Sequence, residues 1–190
     1  MRTIAAVLSL SLLAGCATQE PAGPPTAFRV TWTGMPDNSF LPQKSAGNLK
    51  ANPNCLGDNV SPPISWSNAP DKTRSFVILV DDQAGRIGLG VSHMIVYGIP
   101  TAATSFAEGE LSAAPQGGRF VGGKSTPGTP GWFGPCPPRG NAPQHYVMTL
   151  IATTLEPSEL APGLTKAEVL KALEGGKVLR AASYVFRYAH

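Results

Sequence analysis

The chain has 190 residues, with 15 Lys and Arg against 12 Asp and Glu, for a formal net charge of +3. That balance is too mild to imply a nucleic-acid surface, and no Lys/Arg cluster or interleaving of aromatic with basic residues makes up for it. The apolar run near the N-terminus spans about ten residues, too few to cross a bilayer as a helix.

That run, Ile4 to Leu13, follows Arg2 and ends in Leu13-Ala14-Gly15-Cys16. The pattern resembles a bacterial lipoprotein signal: a short basic start, an apolar stretch, and small residues before a cysteine that is acylated and becomes residue one. A plain secretory leader ends more often in Ala-x-Ala with no cysteine. The expectation is therefore a signal peptide over 1–15, acylation at Cys16 and a membrane anchor. Several buried acyl chains, at about 0.8 kcal/mol per methylene, make such anchoring stable. Ala17 follows the cysteine where an aspartate would favour retention in the inner membrane, so the expected address is the outer membrane, facing the periplasm. Cleavage removes Arg2 and takes the charge to +2. Residues 16–26, rich in Pro, Gly and small polar types, read as a flexible tether. Residues 27–190 have the length of one domain with a full core, without internal repeats or a change of composition.

In chain order, Phe28 to Thr33 alternates, with Phe28, Val30 and Trp32 on one face of a strand. Ile64-Ser65-Trp66 is a short strand after the Ser61-Pro62-Pro63 turn. Phe76-Val77-Ile78-Leu79-Val80 and Met94-Ile95-Val96-Tyr97 are continuous apolar runs, as in strands buried on both faces. The Gly-rich Gly85 to Gly90 loop lies between them. Thr101 to Gly131 has almost no periodicity and reads as a long loop, which in a compact domain is usually functional. Gly134-Pro135-Cys136-Pro137-Pro138-Arg139-Gly140 suits neither helix nor central strand, because three prolines fix φ and remove donors. It reads as a stiff loop, either a pocket wall or simple scaffolding. It feeds the buried strand Tyr146 to Leu155. Thr165-Lys166-Ala167-Glu168 matches a capping box, Val169, Leu170 and Leu173 make an apolar stripe, and Gly175-Gly176 stop the helix. Ala182 to Tyr188 alternates again. The fold class is mainly β with a late helix.

Two cysteines remain beyond the anchor, Cys55 and Cys136, and an oxidising periplasm favours a disulfide between them. Closing a loop of about 80 residues is worth roughly 4 kcal/mol in the chain-entropy model. Asp81-Asp82 ends one buried run and His93 opens the next. If the two strands pair as a hairpin, Asp82 and His93 emerge on the same sheet edge, where a carboxylate can orient an imidazole, hold it protonated or share a metal with it. The same residues also read as turn formers and a structural histidine. Histidines at 93, 145 and 190 show no ligand spacing, so neither a metal nor any other cofactor is expected. There is no Gly-x-Ser-x-Gly elbow and no phosphate-loop motif, and a Cys136 nucleophile would require a free thiolate. No catalytic residue is assigned.

Asn59-Val60-Ser61-Pro62-Pro63-Ile64-Ser65-Trp66, the Phe76 to Asp82 strand with His93 to Pro100, and Gly134 to Tyr146 together resemble three co-linear motifs of the phosphatidylethanolamine-binding proteins, in their bacterial Raf-kinase-inhibitor-like branch. The resemblance covers about Phe28 to His190, including the helix and a closing strand at Val178 to Ala181. It implies a large antiparallel sheet packed on a smaller one, with a helix near the C-terminus. It further implies a small pocket for phosphate, acetate or a phospholipid head group, and with no credible nucleophile beside it the expectation is a binding protein and not an enzyme. Asp82 and His93 would form the polar floor, Gly134, Pro135, Cys136 and Pro137 one wall, and Tyr146 another edge. A protonated His93 with backbone N–H groups would hold the anion. Two departures bear on the ligand. Gln144 stands where the family has its second pocket histidine, and it can donate but cannot be charged. Ser92 stands where an aromatic is common, which opens that side. A protein-binding inhibitor acting on an envelope partner is the alternative, and a hydrolase using Asp82 and His93 ranks below it.

Overall fold

The computed structural model describes residues 26–112 and 118–190. The expected leader, the acylation site Cys16 and nearly all of the 16–26 tether lie outside the described residues. In chain order the strands are β1 (Arg29–Trp32), β2 (Ser39–Phe40), β3 (Ile64–Ser67), β4 (Ser75–Asp82), β5 (Val91–Pro100), β6 (Ser105–Phe106), β7 (Val121–Gly122), β8 (Gln144–Thr153) and β9 (Val178–Tyr188). They form a three-stranded sheet, β1-β3-β6, and a six-stranded sheet, β2-β9-β8-β4-β5-β7. The large sheet is antiparallel apart from the short edge pair β2/β9, which runs parallel.

The continuous apolar runs form central strands because both sheet faces are covered. From β4, Phe76, Ile78 and Val80 face a core shared with Trp32, Trp66 and Phe106. Val77 and Leu79 face the opposite side, against Leu155, Val169 and Leu173. Each such side chain, fully buried, contributes about 1.5–3 kcal/mol. In β1, Val30 and Trp32 point inward as the alternation predicts, with Phe28 packed partly against them.

The helix, Lys166–Ala172, starts from the expected capping box: the Thr165 side chain accepts from the Glu168 N–H, and the Glu168 carboxylate accepts from the Thr165 N–H. Its buried face is Val169 and Leu173. Leu170, expected in the apolar stripe, is 42% exposed, because it lies about 100° around the axis from Val169. The closing segments expected at Val178 to Ala181 and Ala182 to Tyr188 are one strand, paired with β8 from Gln144↔Tyr188 to Thr153↔Val178. The region expected as a loop over Thr101 to Gly131 also holds β6 and β7, each two residues long and too short to show a period.

Candidate functional site

β4 and β8 pair without a slip from Ser75↔Thr153 to Asp82↔Tyr146, so Asp82 and Tyr146 are direct cross-strand neighbours. The β4/β5 pairing runs in register from Ile78↔Val96 to Val80↔Met94 and then jumps to Asp81↔Ser92. The residue skipped is His93, the extra residue of a β-bulge. Bulges re-aim side chains, and this one turns His93 onto the same face as Met94 and Asp82. Asp81 and Ser92 are left facing the helix side, where Asp81 accepts from Ser92 Oγ at 2.7 Å and pairs with Lys166 at 2.7 Å. Asp82, His93 and Tyr146 thus share one end of the central strands, 2%, 4% and 1% exposed.

They line a cleft of about 330 Å³ together with Cys136, Pro137, Pro138, Phe133, Gln144, Arg86 and Leu49, among others. The proline-rich loop forms one wall, and the expected disulfide, Cys55–Cys136, ties it to the segment preceding β3. Gly134 and Pro135 do not line the cleft. They stand behind it, packed on residues 45–47. The Pro135 carbonyl accepts from the Gly47 N–H at 2.9 Å, and a Cβ on Gly134 would collide with the Ser45 carbonyl oxygen and the Ala46 backbone. A residue with any side chain could not bring the wall so close. Asn59 holds the loop entrance: its Nδ2 donates to the Trp132 carbonyl at 3.0 Å and its Oδ1 accepts from the Gly134 N–H at 2.8 Å.

The tautomer of His93 follows from its partner. A carbonyl can only accept, so at 2.7 Å from the Phe133 oxygen it is Nδ1 that carries the proton and donates. Nε2 is left for a ligand. The ring stacks on Phe133 with centroids 5.8 Å apart and meets Tyr146 edge-on at 5.1 Å. Burial lowers the His93 pKa, outweighing the Phe133 carbonyl and the Asp82 and Asp81 charges, which all raise it. His93 is therefore a neutral imidazole at neutral pH. With Nδ1 already donating to Phe133, His93 can donate from Nε2 only in its protonated form, so the anion contact that the resemblance implies for it requires proton uptake. Burial, first, and the Asp82 charge push the Tyr146 hydroxyl far up, so it stays protonated and donates to Gln144 Oε1 at 3.2 Å. With that oxygen engaged, the amide N–H₂ is the donor Gln144 has left. Asp82 Oδ1 accepts from the Ala84 N–H at 2.9 Å, so the carboxylate both serves the cleft and caps the turn after β4, joining the two readings the sequence left open.

The sequence reading passed over Arg86, Phe133, Leu49, Asn52, Thr126 and Pro127, all of which line the cleft. Arg86 is its sole lining cation among the described residues at neutral pH. It sits in the single turn Gly85–Gly88, where Arg86 (φ 52°) and Ile87 (φ 60°) adopt the left-handed region. No motif marks it, because its position depends on that turn. His145, next to the lining residue Gln144, points outward and is exposed.

A family model for phosphatidylethanolamine-binding protein matches residues 33–189. A UPF0098 protein of Aquifex aeolicus is 33% identical over 134 residues, 70% of this chain and 77% of that protein. LppC of Mycobacterium tuberculosis, described as a candidate lipoprotein, is 38% identical over 119 residues, 63% of this chain and 55% of its own. Among solved structures, a phosphatidylethanolamine-binding protein homologue from Chlamydia trachomatis superposes with a TM-score of 0.72 at 27% identity, covering 87% of this chain and 99% of that one.

Proposed function

The chain belongs to the phosphatidylethanolamine-binding protein family, and on that premise we propose that its cleft binds a phosphorylated head group that also carries an ammonium. The observation that carries this reading is the pairing of a buried carboxylate, Asp82, with a cation, Arg86, in one cleft of about 330 Å³. A bare anion held within about 4 Å of Asp82 would meet a repulsion of about 4 kcal/mol at an effective dielectric near 20. An ammonium beside Asp82 turns that term favourable and leaves the phosphoryl oxygens to Arg86, the Gln144 amide and His93 Nε2. A phosphodiester has no proton to give, so its binding draws a proton onto His93 from solvent.

The test is titration with inorganic phosphate, glycerophosphoethanolamine and glycerophosphoglycerol, followed by calorimetry and by the His93 and Gln144 resonances. Glycerophosphoethanolamine should bind tightest, and Asp82→Asn should abolish its advantage over glycerophosphoglycerol. Phosphate binding as tightly would favour a simple anion site, and unmoved resonances at millimolar levels of all three would reject the reading.

We further propose that the domain is held at the outer membrane through acylated Cys16. Support comes from the Leu13-Ala14-Gly15-Cys16 pattern and from similarity to a relative described as a candidate lipoprotein. Palmitate labelling of the wild type that persists in Cys16→Ser would refute this.

A further inference from the structure

The turn after β4 is built unlike a solvent-facing loop. Ile87 at its tip is fully exposed, at 103%, and Leu89 is 78% exposed. Ile87 is also β-branched and in the left-handed region, an unfavourable place for such a residue, and glycines with φ of 85° and 81° flank Leu89. Three of the turn's N–H groups bond back within it: Gly88 N–H donates to the Ala84 carbonyl at 3.2 Å, Leu89 N–H to the Arg86 carbonyl at 3.3 Å and Gly90 N–H to the Gly85 carbonyl at 2.9 Å. With these three donors satisfied inside the turn, its C-terminal half carries less polar cost into an interfacial medium.

The rest of the cleft mouth repeats the chemistry. Leu49 lines it and is 47% exposed, with exposed Lys50 next in the chain; Pro138 lines it, with exposed Arg139 next. Three rim segments, Leu49-Lys50, Arg86-Ile87 and Pro138-Arg139, thus each set an apolar side chain beside a cation. Among the described residues none of these three cations is in an ion pair. Asp82, the acidic residue in the lining, is buried.

We propose that this rim docks on a bilayer containing anionic phospholipids, with Ile87 and Leu89 inserted among the head groups and Lys50, Arg86 and Arg139 against the phosphates. Apolar tips collared by basic residues suit an interface that is oily inside and negatively charged outside. A second copy of the chain suits the rim less well, because a two-fold contact would press the three cations against their own counterparts. The inference goes beyond the head-group reading and stands whether or not the cleft takes a ligand.

The three native tryptophans are buried, Trp32 at 5%, Trp66 at 5% and Trp132 at 1%, so an added surface tryptophan can be read against a low background. The full chain carrying Ile87→Trp is reconstituted into vesicles with brominated acyl chains, with and without anionic lipid. Leu89→Trp serves as a second probe, and Lys72→Trp, before the opposite end of β4, as the control. Quenching at 87 and 89 should exceed that at 72 by at least about two-fold, rise with anionic lipid and weaken with added salt. Equal quenching at all three positions would overturn the proposal. So would a blue shift at 87 that grows with protein concentration in the absence of vesicles, which would mark a contact between copies. Head-group titration is read separately, so failure of the cleft and failure of the tip give different results.

Discussion

Asn59 and His93 converge on one residue, Phe133: the Asn59 amide brackets it through the Trp132 carbonyl and the Gly134 N–H, and the Phe133 carbonyl accepts a hydrogen bond from His93 Nδ1–H. An asparagine from the segment before β3 therefore fixes which nitrogen of a β5 histidine faces the cleft. Asn59 itself is left-handed, with φ 59°, a conformation Asn tolerates better than most residues.

Asn59→Ala should lower stability by about 2–4 kcal/mol, because it leaves a carbonyl and an N–H unpaired and keeps a left-handed backbone without an asparagine. Urea unfolding measures the loss. The His93 Nδ1 proton should also exchange faster in NMR spectra. A variant with wild-type stability and an unchanged Nδ1 signal would separate Asn59 from the site.

Burial sets the His93 pKa below the 6.5 of an accessible histidine. As pH falls below that value the unfolded chain binds a proton before the folded one does. Stability should therefore drop between about pH 6.5 and the folded pKa, and this group should contribute no slope above that range. Urea midpoints for wild type and His93→Gln, taken from about pH 7.5 to about pH 5, should diverge in slope only in that window. The lowered pKa of Glu168 comes first from its hydrogen bond with Thr165 and acts at lower pH, in the carboxylate range.

Reduction of Cys55–Cys136, 81 residues apart, should cost roughly 4 kcal/mol in the chain-entropy model. The double variant Cys55→Ser, Cys136→Ser should show the same loss in calorimetry. Because the bond clamps one wall of the cleft, ligand affinity should fall with it even where the variant remains folded.

Gly134→Ala adds one methyl group against the Ser45 and Ala46 backbone, where nothing flexible can give way. The expected destabilisation is about 3 kcal/mol or more, at the upper end for overpacking. Gly140→Ala, in the same loop, has open space around its Cβ and φ 83°, so it should lose only the conformational advantage of glycine, about 1 kcal/mol.

Gln144→Leu removes both the acceptor for the Tyr146 hydroxyl and the amide N–H₂ offered to a ligand. Affinity for glycerophosphoethanolamine should drop about tenfold, in line with one or two lost hydrogen bonds. The residue is only half-buried, so the melting temperature should change little.

The large sheet was legible because its strands are long and apolar. Phe76 to Val80, Met94 to Tyr97 and Tyr146 to Leu155 could hardly be anything else in a chain of this size. The helix was legible from its cap, Thr165 and Glu168. What the sequence concealed depends on register and dihedral angle. The bulge at His93 leaves no mark in Ser92-His93-Met94, yet it decides that His93 joins Asp82 on one face. Arg86 sits among glycines and enters the cleft through a left-handed turn that no periodicity encodes. Gly134 and Pro135, expected in the lining, form the support behind it, since the chain's order does not tell the front of a wall from its back. Protonation was hidden for a related reason: the depth of burial that keeps His93 neutral is a property of the packed sheet, not of the neighbours in the chain.

The unbroken pairing of β4 with β8, from Ser75↔Thr153 to Asp82↔Tyr146, joins segments that lie far apart along the chain. Such distant pairing closes late and cooperatively in folding, since the entropy of the long intervening loop must be overcome before any contact compensates it. The cleft floor draws Asp82 from β4, His93 from β5 and Tyr146 from β8, so it comes into being only when all three strands are paired. Partly folded chains would have no rudimentary version of the site to offer. A head group that binds there would recognise, and by mass action stabilise, the finished molecule alone.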